Sequence, residues 1–145
     1  MVYNAEIMEI ICLEDYEGFM IIKLNDEYLH VCFLAPYEFA YNLLHVGKSI
    51  NIDLWLAYGT AKIIQILQKE IPRNPKVSGG IHRGEVIKVY NKHELRVNCG
   101  AFEIDIRSEV PIEVLTSQYI EAHGDYQIFF PDTDYSKDRC WDCIE

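Results

Sequence analysis

Basic side chains are scarce in this 145-residue chain: 13 Lys and Arg stand against 23 Asp and Glu, a formal net charge of −10. A field of that sign repels polyphosphates, which sets the chain against generic affinity for nucleic acid or an anionic membrane surface. Long apolar runs are missing as well. Stretches such as Ile10-Ile11-Cys12-Leu13 and Gly18-Phe19-Met20-Ile21-Ile22 are strand-sized, far short of the roughly 20 residues a membrane helix needs. Met1 to Glu6 has neither the basic region nor the apolar core of a signal peptide, so the expected location is the cytoplasm. Cysteine occurs only five times, an odd number that argues against a disulfide framework. Cys12, Cys32 and Cys99 fall inside apolar patterns, where Cys is expected as a small core residue in reducing surroundings. Five Pro and eight Gly are too few for a collagen-like or low-complexity chain.

What the chain does have is apolar mass. Half the residues are hydrophobic and 12% are aromatic. At 16.9 kDa, folding removes roughly two-thirds of the extended surface from water, enough for one good core or two small ones. The clearest punctuation is Ile71-Pro72-Arg73-Asn74-Pro75-Lys76-Val77-Ser78-Gly79-Gly80. Two prolines and a Gly pair break both helix and central strand, so 71–80 reads as a linker. It divides the chain into 1–70 and 81–131, followed by an acidic tail, 132–145. The halves share a pattern. Ala5-Glu6-Ile7-Met8-Glu9-Ile10 can be laid on Gly84-Glu85-Val86-Ile87-Lys88-Val89, and Ala35-Pro36-Tyr37-Glu38-Phe39 on Val110-Pro111-Ile112-Glu113-Val114. Gly47 then falls on Gly124 if the second copy carries two extra residues.

Each half reads as three strands, a short helix and two strands. In the first, 5–13, 19–24 and 27–34 are strand-like, with Asn25-Asp26 as a tight turn. Pro36 suits a first helical turn and Gly47 its αL end. Ile50, Ile52, Leu54, Leu56 and Tyr58 alternate with Asn51, Asp53, Trp55 and Ala57, a period of two. Gly59-Thr60 reads as a turn into 61–68. The second half repeats the order over 84–90, 94–99, 101–107, 118–123 and 126–130, with a helical turn from Pro111. The expected class is therefore mainly β with short helices. In element order, Pro-led helix and following Gly, each half resembles an OB-fold, a small five-stranded Greek-key barrel. The resemblance implies two such barrels in tandem, each β-β-β-α-β-β, and one merged β-barrel or sandwich fits the same patterning.

The local motifs name no reaction. Gly47-Lys48-Ser49 imitates the end of a phosphate-binding loop, but position 42 is Asn where that loop needs Gly. Cys140-Trp141-Asp142-Cys143 is a CxxC surrounded by acids that oppose thiolate formation, and it supplies only two of four zinc ligands. Asp132-Thr133-Asp134 opens like a calcium loop, yet Lys137 stands where Gly is needed and Cys143 where Glu is needed. His30, His45, His82, His93 and His123 are scattered, and no nucleophile elbow is present. The expectation is a non-enzymatic chain with no cofactor and no metal.

Two binding surfaces are expected instead. Residues 1–72 hold 4 basic and 10 acidic side chains. Glu14, Asp15, Tyr16, Glu17, Asp26 and Glu27, together with Trp55 on the polar side of its strand, predict a protein-binding surface for a basic or neutral partner. Trp and Tyr dominate binding hot spots while charges steer encounter. An inhibitor or immunity-type protein that neutralises a basic target is one concrete form. The alternative is a ligand site for a single-stranded oligonucleotide or a small molecule in the second half. Its residues would be Lys88, Tyr90, Lys92, His93, Arg96 and Arg107. Against it, Lys88, Arg96 and Arg107 can form cross-strand pairs with Glu94, Glu103 and Asp105. Sequence leaves the oligomeric state open.

Overall fold

The computed structural model describes residues 2–14, 17–34, 44–65, 80–100 and 102–132. Alternation builds the strands. In β2 (Glu17–Leu24), Met20, Ile22 and Leu24 point inward, and in β3 (Glu27–Leu34) Leu29, Val31 and Phe33 do. Each such side chain contributes about 1.5–3 kcal/mol when fully buried. The turn between these strands is the expected one: Asn25 and Asp26 take φ of 47° and 65°, the left-handed geometry that matches strand twist in a two-residue hairpin.

The other strands are β1 (Val2–Glu14), β4 (Ser49–Ile64), β5 (Gly80–Val89), β6 (Glu94–Asn98), β7 (Glu103–Ser108) and β8 (Tyr119–Phe129). All eight belong to one sheet, in the order β1-β2-β3-β8-β4-β7-β6-β5, closed by two further pairings, β1–β4 and β8–β5. The β1–β4 pairing over Val2–Glu6 and the β8–β5 pairing over Gly80–Glu85 cover part of the two outermost edges, the usual weakness of an open sheet. The steps β3–β8 and β4–β7 are parallel; the others are antiparallel. One apolar interior fills the barrel, from Ile7 and Ile52 through Leu54 and Leu56 to Ile106 and Ile120, all fully buried.

Two expectations are corrected here. The first concerns tandem barrels. β4 and β8 do not each break into two strands but run through, β4 pairing first with β1 and then along β8. Gly59 is not a turn. A Cβ there would stand 2.5 Å from the carbonyl oxygen of His123, and one at Gly124 would stand 2.8 Å from that of Ala57. Both glycines let two backbones pass closely inside a sheet. The strands that sequence assigned to separate barrels thus join the halves into one closed barrel, the merged alternative.

The second concerns helices, of which the described residues contain none. The segment after Pro111 is extended. Ile112 and Val114 are buried while Glu113 and Leu115 are exposed, and Ile112 N donates to Lys92 O at 2.7 Å. That tertiary hydrogen bond and the β-branched pair override the helix-starting tendency of proline. The helix expected after Pro36 lies outside the described residues, as do most of the 71–80 linker and the CxxC. Of the three expected core cysteines only Cys99 is buried; Cys32 is half-buried and Cys12 is exposed. A bulge in the β1–β2 ladder between Ile10 and Cys12 shifts the alternation there and turns Cys12 out.

Candidate functional site

Trp55 lies in the middle of the sheet, on β4, with Gln127 of β8 on one side and Asp105 of β7 on the other. Alternation turns it outward because Leu54 and Leu56 are held inside. Followed across the strands, its row continues from Gln127 to Cys32 and Phe19 in one direction, and from Asp105 to Arg96 and Lys88 in the other. The outer surface is therefore continuous across both halves of the chain.

On the Lys88 side the row is charged and self-paired. Asp105 is only 2% exposed. It accepts hydrogen bonds from Arg96 Nε at 2.9 Å and from the Tyr90 hydroxyl at 3.2 Å. Burial pushes its carboxyl up, but the Arg96 hydrogen bond and other favourable contacts outweigh this and hold it below the usual carboxylate value. Arg96 is raised in return, chiefly by the same hydrogen bond. The Tyr90 hydroxyl is raised by burial and by the Asp105 charge. Lys88 Nζ sits 4.8 Å from the Tyr90 ring centre and Arg96 5.8 Å. Arg107 pairs with Glu94 at 3.4 Å and lies over the Trp55 ring at 4.9 Å. The cross-strand pairing expected for Arg96 and Arg107 is present, with Asp105 and Glu94 as the partners. Lys92 and His93 are exposed at the β5–β6 turn, where His93 Nδ1 is 3.0 Å from Ser108 O.

On the Phe19 side the row is apolar. Phe19 is 42% exposed, Cys32 is half-buried, and Phe19 meets the His30 ring edge-on at 5.7 Å. Burial, then the Asp125 charge, pushes the Cys32 thiol up and away from reactivity. The neighbouring row holds Glu17 opposite Leu34, and Asp53 opposite Phe129. Glu17 and Trp55 therefore share one surface, with apolar side chains between acids.

The remaining expected acids are divided. Glu14 closes β1 opposite Glu17, while Asp15 and Tyr16 lie outside the described residues. Asp26, exposed and 3.9 Å from Lys23, and the half-buried Glu27 stand at the β2–β3 turn. That turn is the other end of β2, about 25 Å from Glu17 by strand rise. Of the predicted protein-contact residues that are described, Asp26 and Glu27 thus lie at the opposite end of β2 from Glu14 and Glu17, and Glu17 is three strands from Trp55 on the same surface.

Three contacts escaped the sequence reading. Tyr3 reaches β7, its hydroxyl donating to Glu103 O at 2.6 Å and accepting from Glu103 N at 2.9 Å. Glu121 is approached by His123 at 3.1 Å, Lys62 at 3.6 Å and Arg83 at 3.7 Å. Burial raises its carboxyl, and the His123 hydrogen bond, then the Lys62 and Arg83 charges, more than reverse the effect. The cleft beside it, about 410 Å³ and open, is lined by Thr60, Gly80, Ile81, His123, Gly124 and Asp125. Inside the barrel the Tyr126 hydroxyl and His82 Nε2 hydrogen-bond to each other. The signal for these contacts lies in strand register, which local sequence does not carry. Among the described residues no three His, Cys, Asp or Glu side chains converge as a metal site, and no helix is long and apolar enough to cross a membrane. The chain matches no protein-family model, no curated protein and no solved structure.

Proposed function

We propose that this protein is a non-enzymatic binding module that engages a protein of basic or neutral surface through the outer face around Trp55. The observation that carries the reading is the placing of Trp55 on one surface with Phe19, Leu34 and Phe129, bordered by Glu17 and Asp53. A large aromatic flanked by polar groups, on a surface that continues to apolar side chains with an acidic border, has the anatomy of a hot spot and its steering rim. Neutralising a basic target, as an inhibitor or immunity-type protein does, is one concrete form of this role.

The hydrogen-bonding circuit β1-β2-β3-β8-β4, with its parallel β3–β8 step, supports OB-like kinship. Fold kinship does not choose a ligand. Oligonucleotide or small-molecule binding by the second half is the weaker reading, because Asp105 and Glu94 engage Arg96 and Arg107.

Affinity capture from native lysate at low salt tests the proposal, with wild type beside Trp55→Ala. A protein retained by wild type, released by salt and lost with Trp55→Ala is the expected result. Identical captured sets from both baits would refute it. A salt-sensitive fluorescence response to single-stranded oligonucleotides, weakened by Lys92→Glu and Arg96→Glu, would favour the ligand reading instead.

A further inference from the structure

The two halves of the barrel are wired alike in detail. Ile7 N donates to Lys48 O, Gly47 N to Ile7 O and Lys48 N to His45 O, at 2.9, 2.7 and 3.1 Å. In the second half Val86 N donates to Gln118 O, Ser117 N to Val86 O and Gln118 N to Leu115 O, at 2.8, 2.8 and 3.2 Å. Gly47 and Ser117 both take positive φ, 89° and 75°. The β1–β2 ladder is interrupted between Ile7 and Glu9, and the β5–β6 ladder between Val86 and Lys88. The third strand of each half pairs in parallel with the last strand of the other. These correspondences lay β1–β4 on β5–β8, with Ile7 on Val86 and Gly47 on Ser117. The pairing of Gly47 with Gly124 suggested by sequence is replaced: the second copy is shorter before this turn, not longer.

The superposition makes the outer faces comparable pair by pair. On β6–β7, Glu94 stands opposite Arg107 and Arg96 opposite Asp105, and both are ion pairs, at 3.4 and 2.9 Å. The corresponding pairs on β2–β3 are Phe19 opposite Cys32 and Ile21 opposite His30. The same backbone is sealed by ion pairs in one half and in the other carries the exposed Phe19 beside the half-buried Ile21, His30 and Cys32. A partly exposed, largely apolar strip is therefore not a requirement of this fold. Within it, His30 Nδ1 is buried without a hydrogen-bond partner among the described residues. A group of that kind normally finds one, in the protein or in what binds it.

We infer that the first half's outer face, centred on Phe19 and Ile21, docks a protein surface with an apolar centre and a cationic rim. The inference rests on the protein-binding reading above and names the partner's chemistry. Charge complementarity selects the rim. Glu9 stands exposed opposite Ile21, and Glu17 stands exposed beside Phe19. The position corresponding to Glu9 in the sealed half is Lys88. Docking an anionic rim against Glu9 and Glu17 would set like charges together, whereas a cationic one is steered in. The apolar centre removes Phe19 and Ile21 from water and excludes solvent from the ion pairs at the border, the arrangement that concentrates binding energy.

The test uses the full chain and a short fluorescein-labelled amphipathic Leu/Lys peptide, with Leu/Glu and Gly/Lys peptides as controls. Leu/Lys is expected to bind at least about tenfold more tightly than either control, the factor one good anchor supplies. Phe19→Glu/Ile21→Arg/His30→Asp/Cys32→Arg writes the second half's two ion pairs onto the first. It should keep the circular dichroism spectrum and lose Leu/Lys binding by at least about tenfold. Should it unfold, Phe19→Asn/Ile21→Thr provides the same comparison. Undiminished binding by a folded variant, or equal affinity for Leu/Glu, overturns the inference. Loss with Trp55→Ala but not with the β2–β3 variants would uphold the protein-binding reading and sink this one. Loss with neither would sink both.

Discussion

Replacing Gly59 with alanine would place a Cβ 2.5 Å from the carbonyl oxygen of His123 and 3.5 Å from its carbon. Both are backbone atoms of β8, so no rotamer change relieves the contact. β4 and β8 would have to part by several tenths of an ångström where they pair most extensively, from Asp53 to Ile64. Overpacking of this kind costs about 1–3 kcal/mol, and a rigid backbone neighbour places the cost at the upper end. For a chain of this size each kcal/mol lowers Tm by about 2–4 °C, so the upper part of that range, about 2–3 kcal/mol, should melt Gly59→Ala about 4–12 °C below wild type. Thermal unfolding followed by far-UV circular dichroism, with urea titration as a second measure, reads the effect. Gly47→Ala is the control of opposite cause. Nothing lies within 4 Å of a Cβ there, but φ is +89°, so the cost is backbone strain alone, about 1–2 kcal/mol. Were Gly59 in a tight turn with Thr60, as its local sequence suggests, the cost would be backbone strain of the Gly47 kind and the two variants would melt alike. A Gly59→Ala protein melting within about 1 °C of wild type would refute the close passage of β4 and β8.

Tyr3→Phe removes a hydroxyl that serves both backbone groups of Glu103, and should destabilise by about 1–3 kcal/mol, measured by urea unfolding. The folded-state carboxyls of Asp105 and Glu121 are both held below their ordinary values. Their contribution to stability is therefore complete above the unfolded carboxylate pKa and lost as pH falls through the folded values. Urea midpoints should drop steeply below about pH 4, and Asp105→Asn should flatten that dependence while lowering stability at neutral pH. An unchanged acid profile in Asp105→Asn would remove Asp105 from the account.

Much of the fold was legible because strands with one buried face alternate. Met20, Ile22 and Leu24, or Ile52, Leu54 and Leu56, announce an inner face wherever they are placed. The Asn25-Asp26 turn was legible for an equally local reason, the tolerance of these residues for positive φ. Glycine was ambiguous. Gly59 and Gly124 look like turns in a linear reading and act as passages for a crossing backbone, and local sequence distinguishes the two poorly. The segment after Pro111 looked like a helix start because proline fits that position, while Lys92 O, which holds Ile112 in place, comes from a different hairpin. The expected acids beside Trp55 were close in sequence to one another, yet an eight-residue strand separates Glu17 from Asp26.

Sequence alone determined that this chain is acidic and rich in strands, and which side chains line the inner face of the first part of β4. Those properties follow from composition and a period of two, which act within a few residues. Tertiary structure decided that β4 and β8 run on past their own half and close one barrel with the other. It decided that Asp105 is buried under Tyr90 and Arg96, and that Trp55 joins an apolar face on one side to a sealed, ion-paired face on the other. These depend on register between strands far apart in sequence, and a register shift of one residue exchanges inside for outside along a whole strand. The scarcity of basic residues thereby gains a location: among the described residues the second half's Arg96 and Arg107 are engaged by its own acids, while Glu9 and Glu17 border the strip of Phe19 and Ile21.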